Sequence, residues 1–109
     1  MPPDPGLLAL MRDDLSDLSD IREVRMFGGV CFMLRGHMLC GIHRTGALYR
    51  VGKPRYIAAL AIPGAAPMAM AGRQMRGIVE VPSETLADDT SRAKWLDLCL
   101  QNVASLPPK

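Results

Sequence analysis

The stretch VRMFGGVCFMLRGHMLCGIHRTGALYRV, residues 24 to 51, decides the fold of this chain. It holds three apolar runs, VRMF/VCFML, HMLCGI and ALYRV, which are separated by Gly36 and by Thr45-Gly46. Short apolar runs divided by glycine-containing turns are typical of an antiparallel meander. The runs do not alternate strictly, which a sheet tolerates when helices cover one face and a partner or loops cover the other. We therefore predict three sequential antiparallel strands.

Gly28 and Gly29 interrupt the first run. Two adjacent glycines weaken a strand, because they add backbone entropy and bring no side chain to pack. They do not form a phosphate-binding loop, since the longer glycine spacing and the Lys-Ser/Thr pair of that motif are missing. We predict that at least one of them occupies a turn, a bulge or a position where another segment packs closely, with a positive φ accessible there.

Helical segments flank this stretch on both sides. Before it, residues 6–18 place leucines and Met11 at helical spacing with aspartates opposite, which predicts an amphipathic helix laid over the sheet. After it, Lys53-Pro54 opens a second helix and Pro63-Gly64 stops it. The residues expected on one side of this second helix are Tyr56, Ile57, Leu60 and Ala61.

The carboxyl-terminal part predicts further strands and a closing helix. Residues 63–71 form either a loop crossing the sheet or a short edge strand, and residues 72–82 form a hairpin or strand that Pro82 terminates. The closing helix has Thr90 as its expected N-cap and residues 92–106 as its body, with Trp95 on the apolar face. Its other apolar-face residues are Leu96, Cys99, Leu100 and Val103.

The order of these elements is α-β-β-β-α-(β)-β-α, with no internal repeat and no linker long enough to divide domains. We predict one α+β domain over residues 1–109. Its single sheet would consist of the three-stranded meander plus one or two further strands, flanked by helices.

Composition excludes several classes of protein. The 109 residues are 49% hydrophobic and 22% charged, which is ordinary for one globular domain and argues against disorder. No apolar run approaches the roughly 18 residues of a membrane span, and the amino terminus MPPDPG lacks a basic flank and an apolar signal core. We expect a soluble cytoplasmic protein without membrane contact.

The cysteines and histidines raise the question of a metal site. The 3 cysteines are an odd number in apolar surroundings, which favours reduced core residues over a disulfide framework. On one extended strand, His37 and His43 would share a face and Cys40 would lie on the other. That arrangement breaks the convergence that a tetrahedral site with Cys31 requires. We predict no metal and no cofactor.

The net charge of +2 hides a segregation along the chain. Residues 1–20 carry a balance of −4, residues 21–82 a balance of +7, and the remainder a balance of −1. The basic middle uses arginine eight times and lysine once, and arginine makes the better bidentate contacts to phosphates and carboxylates. An anionic partner is one interpretation. The other is a solvated surface whose arginines partly pair with the acidic amino-terminal helix.

Short motifs recur in an order that resembles a known family. They are Arg25-Met26-Phe27-Gly28-Gly29, Gly36-His37-Met38, Leu48-Tyr49-Arg50-Val51, Gly72-Arg73-Gln74-Met75, Val79-Glu80-Val81-Pro82 and Trp95. From residue 24 to residue 106 this succession resembles the TfoX N-terminal domain of bacterial competence regulators. The resemblance implies a small α+β domain with a mixed or antiparallel sheet and flanking helices, and a role as a transcriptional co-regulator.

The sequence also departs from the pattern of that family. Full-length competence regulators carry a second, helical domain, and this chain resembles their first half only. The aromatic pair often found before the EVP stretch is replaced here by Ile78-Val79. The co-regulator role implied by the resemblance is one that both halves can be required for, so the sequence leaves the link to competence open.

Four functional hypotheses follow. The first is a non-enzymatic regulatory or protein-binding module acting beside the transcription machinery. The second is direct nucleic-acid binding by an arginine-rich sheet, and the third is a small-molecule binder or enzyme lined by methionine-rich segments around Met68, Met70 and Met75. The fourth is a homodimer formed through an exposed strand. An apolar pocket with convergent polar groups would favour the third over a filled core.

We expect the first hypothesis to hold and the chain not to be an enzyme, because no nucleophile elbow, phosphate loop or HExxH stretch occurs in the sequence. The binding surface is expected to comprise the motif glycines and the cations around them. The predicted residues are Arg25, Phe27, Gly28, Gly29, Arg50, Lys53, Arg55, Arg73 and Arg76.

Overall fold

A computed structural model of the chain describes residues 5–26, 28–43, 46–70 and 72–107. Within them the strands form one antiparallel sheet flanked by helices, which confirms the α+β fold class. The strands are β1 (Ile21–Met26), β2 (Gly29–Leu34), β3 (His37–His43), β4 (Gly46–Arg50), β5 (Ala66–Met70) and β6 (Arg73–Pro82). The helices are α1 (Pro5–Asp14), α2 (Tyr56–Ala61) and α3 (Asp89–Ala104), with 3-10 turns at Lys53–Arg55 and Ser83–Thr85.

The strand order across the sheet is β1-β2-β3-β4-β6-β5. Strand β6 is antiparallel to both β4 and β5 and lies between them, so β4 and β5 run in the same direction without being neighbours. Of the two alternatives for residues 63–71, the edge strand is the one observed. Strands β1 and β5 are the edges of the described sheet, and their pairing with a second copy of the chain stays a prediction.

The first apolar run folds as two strands rather than one. Gly28 has a φ of +76° and turns the chain between β1 and β2, where Met26 pairs with Gly29. Gly29 lies against the backbone of β3, and a Cβ at this position would overlap the carbonyl oxygen of Ile42. The prediction for the glycine pair is confirmed, because one glycine makes the turn and the other permits a close backbone approach. The described meander therefore has four strands, not three.

Strand β3 contains a β-bulge at Leu39. Phe32 of β2 pairs with Cys40 and Met33 pairs with Met38, so Leu39 is the extra residue of β3. Leu39 and Cys40 follow each other in the chain and both have 0% relative exposure. A bulge of this kind breaks the strict alternation of a strand, so that two successive side chains enter the core.

The bulge overturns one expectation about the histidines. His37 and His43 were expected on one face of a regular strand, but the extra residue between them places them on opposite faces. His37 is buried, and its Nε2 donates a hydrogen bond to the carbonyl oxygen of Pro107 at 2.6 Å, since a carbonyl can only accept. His43 lies on the other face, which is described below.

The helices α1, α2 and α3 lie on the same face of the sheet and are joined to one another there. Trp95 of α3 stacks on Tyr49 of β4 with ring centroids 5.6 Å apart, and its indole Nε1 donates to the carbonyl of Ala59 in α2 at 3.2 Å. Arg92 of α3 donates from Nε to Asp14 of α1 at 2.9 Å. The rings of Tyr49 and Trp95 both belong to the hydrophobic core, which the helices cover on this face of the sheet.

Arg92 also holds the loop that precedes α3. Its Nη1 donates to the carbonyl of Leu86 at 2.7 Å and its Nη2 lies 2.7 Å from Asp89 Oδ1. The hydrogen bonds with Asp14 raise the pKa of the Arg92 guanidinium, although desolvation by burial opposes this. An acidic helix does pair with an arginine, as one interpretation of the charge pattern expected, but that arginine comes from α3 and not from the basic middle of the chain.

Three details of the helices differ from the sequence expectation. The N-cap of α3 is Asp88, whose carboxylate accepts from the backbone N–H of Thr90, so Thr90 lies inside the helix. Ile57 of α2 is 75% exposed and Ala59 is buried instead, so the side of α2 that packs on the core contains Ala59 and not Ile57. Helix α1 ends at Asp14 and the chain continues as a turn. None of the described helices is long and apolar enough to cross a membrane.

Candidate functional site

The second face of the sheet carries the alternate residues of the same strands. Cys31 of β2 pairs with Gly41 of β3, Gly41 with Leu48 of β4, and Leu48 with Glu80 of β6. These four residues form one row across the sheet. Their neighbours in the chain, such as Tyr49, point into the core beneath the helices. The row of Cys31, Gly41, Leu48 and Glu80 therefore lies on the face away from α1, α2 and α3.

A pocket of about 440 Å³ opens on this face. Strands β1 to β4 and the hairpin of β5 and β6 all contribute to its lining, and methionines come from both ends of the sheet. The described lining residues are Met26, Gly28, Gly29, Val30, Cys31, Met38, Gly41, Ile42, His43, Leu48, Met68, Met75, Ile78 and Glu80. We refer to this feature as the open-face pocket.

Small residues in the row leave the floor of the pocket without large side chains at its centre. Gly41 brings no side chain, and a Cβ there would lie 2.9 Å from the carbonyl oxygen of Val30 and 3.5 Å from Cys31 Sγ. The strands β2 and β3 therefore approach closely at this point, and larger side chains rise around it. Cys31 is 6% exposed, and desolvation by burial raises the pKa of its thiol.

An irregularity in β6 forms one wall of the pocket. Pro67 pairs with Val79 while Ala69 pairs with Gln74, so β6 contains extra residues opposite Met68. At this bend Gly77 has a φ of +95°, and its carbonyl accepts from the N–H groups of Val51 and Gly52. The bend carries Met75 and Ile78, which line the pocket across from Met68.

Polar groups of the pocket meet at His43 and Glu80. His43 Nε2 lies 3.5 Å from Glu80 Oε2, and the two side chains are 23% and 42% exposed. They stand on β3 and β6, separated by β4. Among the residues that the structure describes, the pocket thus combines a mostly apolar wall with one polar corner, which is the arrangement that the small-molecule hypothesis required.

The other thiols lie on the covered face and are not poised as nucleophiles. Burial raises the pKa values of Cys40 and Cys99 well above those of free cysteines, so both are protonated thiols at neutral pH. Burial likewise raises the pKa of Tyr49. These groups pack in the core and do not face the open-face pocket.

The predicted binding residues are distributed over the molecule. Gly28 and Gly29 line the open-face pocket. Arg25 lies on the edge strand β1 opposite Val30, in register with the covered face, whereas Arg50 lies opposite Ile78, in register with the open face. Phe27 lies outside the described residues.

The remaining predicted cations gather at one end of β4. Lys53, which is exposed, and Arg55, which is half-buried, occupy the 3-10 turn after β4, and Arg55 Nε is 3.4 Å from Gln101 Oε1 of α3. Arg76 is exposed and precedes Gly77. The carbonyl of Gly77 accepts hydrogen bonds from the backbone N–H groups of the two residues that follow Arg50. Arg73 begins β6, and only its strand position is described. We call Arg50, Lys53, Arg55 and Arg76 the basic junction.

Sequence reasoning missed most of the pocket. Met68 and Met75 were assigned to a binding surface only under the small-molecule hypothesis, and Cys31, His43 and Glu80 were not assigned to it at all. A signal existed in the alternation, since Leu48 and Glu80 occupy the positions between buried residues of β4 and β6. What the alternation alone did not reveal is which of the two faces the helices cover.

Comparison with known proteins gives a family but no individual relative. No curated protein matches the chain, and no solved structure matches it. The family described as the TfoX N-terminal domain matches residues 13–103, which is most of the chain and includes every strand described above. The chain therefore belongs to the TfoX N-terminal domain family.

Proposed function

We propose that this chain is a non-enzymatic regulatory domain of the cytoplasm that acts by binding, and that the open-face pocket is its binding site. The observation that carries the proposal is the pocket itself. An ordinary core would fill the space, whereas here about 440 Å³ opens beside a polar corner on the face without helices. Pockets of this size and apolar lining hold small molecules in other proteins.

The regulatory part of the proposal draws on the family. Membership in the TfoX N-terminal domain family favours a role beside the transcription machinery, with a protein as the partner that reads the domain. Binding rather than catalysis is favoured by the thiols, because burial raises the pKa values of Cys31 in the pocket and of Cys40 and Cys99 on the covered face, which disfavours the nucleophilic thiolate. A ligand in the pocket would then control the affinity of the domain for that protein.

A neutral apolar dye tests the binding site. N-phenyl-1-naphthylamine becomes fluorescent in apolar surroundings, and we expect the protein to enhance its emission saturably. Leu48→Phe places a larger side chain in the pocket and should weaken dye binding at least tenfold. Ile57→Ala removes an exposed apolar side chain of α2 that is remote from the pocket, and it should leave dye binding unchanged. Equal binding by the wild-type protein and Leu48→Phe would contradict the proposal.

The partner is tested separately with purified RNA polymerase. We expect the immobilised domain to bind the polymerase, and the Leu48→Phe variant to bind with a different affinity if the pocket controls the contact. Absence of binding by the wild-type domain with and without dye would argue against this partner while leaving the pocket assignment intact.

A second candidate function is a phosphate contact by the basic junction. The observation in its favour is the backbone contact of Gly77 with Val51 and Gly52, at 2.8 Å and 3.0 Å, which brings Arg76 beside the Arg50–Lys53 segment. Three neutralised phosphates would weaken binding to duplex DNA roughly 40-fold between 50 and 200 mM salt. Arg50→Ala and Arg76→Ala should each reduce this salt dependence. Arg12→Ala, an exposed arginine paired with Glu23, is the matched control.

A further inference from the structure

We propose that the open-face pocket selects a small hydrophobic cation, an aromatic body carrying a protonated amine, with Glu80 as the counter-charge. This inference rests on the proposed function, because it names the ligand class of the same pocket. Three properties of the pocket support it: the size, the methionine-rich wall and the sign of the charge.

Size and wall chemistry define the body of the ligand. A volume of about 440 Å³ accommodates a compact organic molecule and is far larger than a single ion needs. The methionines that line the described pocket are Met26, Met38, Met68 and Met75. Thioether sulfurs make favourable contacts with aromatic rings, and their flexible side chains adapt to the ring that enters. An aromatic body therefore suits this wall better than a polar one.

Charge defines the head of the ligand. Glu80 is the acidic residue of the described lining, and no lysine or arginine is among the described lining residues. Two described arginines are in register with this face, Arg22 opposite Met33 and Arg50 opposite Ile78, and both lie outside the lining. With histidine counted as neutral, the described lining thus carries a negative charge, although the whole chain has a net charge of +2. A cation is attracted to such a corner and an anion is repelled.

The partial exposure of Glu80 lowers the desolvation cost of an ion pair at this corner. Glu80 is 42% exposed, so an ammonium that binds it keeps part of its hydration and avoids the full cost of burying a charge. His43 Nε2, at 3.5 Å from Glu80 Oε2, restricts where the carboxylate lies. The aromatic body would extend from this corner among the methionines of the lining.

Matched probes that differ in charge test the inference. They are 1-naphthylmethylammonium, 1-naphthylmethanol and 1-naphthoate, which share one ring system. For the wild-type protein we expect the ammonium to bind about tenfold more tightly than the alcohol, as a charge-assisted hydrogen bond would provide, and the naphthoate to bind most weakly. Isothermal titration calorimetry measures the three dissociation constants.

Variants separate the charge effect from the shape effect. Glu80→Gln should abolish the preference for the ammonium and leave the alcohol unchanged, whereas Glu80→Asp, which keeps the charge, should retain part of the preference. Glu84→Gln is the matched control, because Glu84 lies on an exposed 3-10 turn outside the lining. Leu48→Phe should weaken all three probes alike. Thermal unfolding of each variant verifies that it folds.

The outcomes distinguish the inference from the proposed function. If the alcohol and the ammonium bind the wild-type protein equally and Leu48→Phe weakens both, the pocket is a binding site and the cation selectivity is wrong. If none of the three probes binds while N-phenyl-1-naphthylamine still does, the inference fails and the binding site stands; if the dye does not bind either, the proposed function fails together with the inference. If Glu80→Gln keeps the full preference for the ammonium, Glu80 is not the counter-charge.

Discussion

The two faces of the sheet are built from the same strands and have opposite properties. On the covered face, Phe32, Tyr49 and Trp95 are at most 2% exposed and belong to the hydrophobic core. On the open face, the same strands present Gly41 and Leu48 beside an opening of about 440 Å³. One face supplies the packing that holds the domain together, and the other carries the pocket that we propose as a binding site.

The difference between the two faces follows from the alternation of side chains along each strand. In β6, Val79 is fully buried on the covered face, and its neighbours Ile78 and Glu80 line the pocket. A substitution in this strand therefore affects stability or binding according to its position in the alternation. The predictions below use this separation, and they run from the largest expected effect to the smallest.

The largest loss of stability is expected for Trp95→Ala. It removes a fully buried ring that stacks on Tyr49, together with the hydrogen bond to Ala59, and should lower the free energy of unfolding by about 4 kcal/mol. Urea denaturation measures the change. Ile57→Ala, at a residue that is 75% exposed, should change it by less than about 0.5 kcal/mol. A small effect of Trp95→Ala would mean that the covered face does not hold the fold.

A somewhat smaller effect is expected for Arg92→Ala. Its removal leaves the partly buried carboxylate of Asp14 and the carbonyl of Leu86 without their donor, which should lower the free energy of unfolding by about 3 kcal/mol. The exposed pair of Arg12 and Glu23 offers a contrast, and Arg12→Ala should cost less than about 1 kcal/mol. Equal losses in the two variants, measured by urea denaturation, would contradict the role of Arg92 in joining α1 to α3.

Neighbouring residues of β6 give the sharpest test of the two faces. Val79→Ala should lower the free energy of unfolding by about 2 kcal/mol and leave the binding of 1-naphthylmethanol unchanged. Ile78→Ala should cost less than about 1 kcal/mol, because the side chain is only partly buried, and should weaken the probe several-fold. Urea denaturation and calorimetry on the same preparations compare the variants. If both lose binding equally, the faces are not independent.

The smallest of these effects is expected at the turn beside the pocket. Gly28→Ala should lower the free energy of unfolding by about 1 kcal/mol, since φ of +76° is strained for an alanine although no atom crowds the site. Gly28→Asn should lose less, because asparagine tolerates this region better. Gly29→Ala should lose more than Gly28→Ala, because its Cβ meets the Ile42 backbone. The reverse order, measured by thermal unfolding, would contradict the geometry of the hairpin.

Local signals were sufficient for much of the fold. The glycine pair indicated a turn or close approach, and the closing helix around Trp95 was recognisable from its spacing. The signals failed where a single extra residue changes the outcome. The bulge at Leu39 moved His37 to the covered face, and Ala59 replaced Ile57 as the buried residue of α2. Such details depend on packing partners far away in the chain, which a local pattern does not contain.

The candidate site was accessible from the sequence only in fragments. The abundance of methionine and the positions of Gly28 and Gly29 were visible, and both belong to the pocket lining. The polar corner was not, because His43 and Glu80 are 37 residues apart in the chain and meet across β4. Likewise, the arginines of the basic middle look like one group in the sequence, yet Arg25 and Arg50 are in register with different faces.

The sequence by itself determined the elements of this protein: strands between glycine-containing turns, an amphipathic first helix and a closing helix around Trp95. It did so because glycine conformation and apolar spacing act within a few residues. Only the tertiary structure decided that α1, α2 and α3 share one face, that β6 enters between β4 and β5, and that a pocket remains on the other face. Those features arise from contacts between distant segments, so they exist only once the whole sheet has assembled.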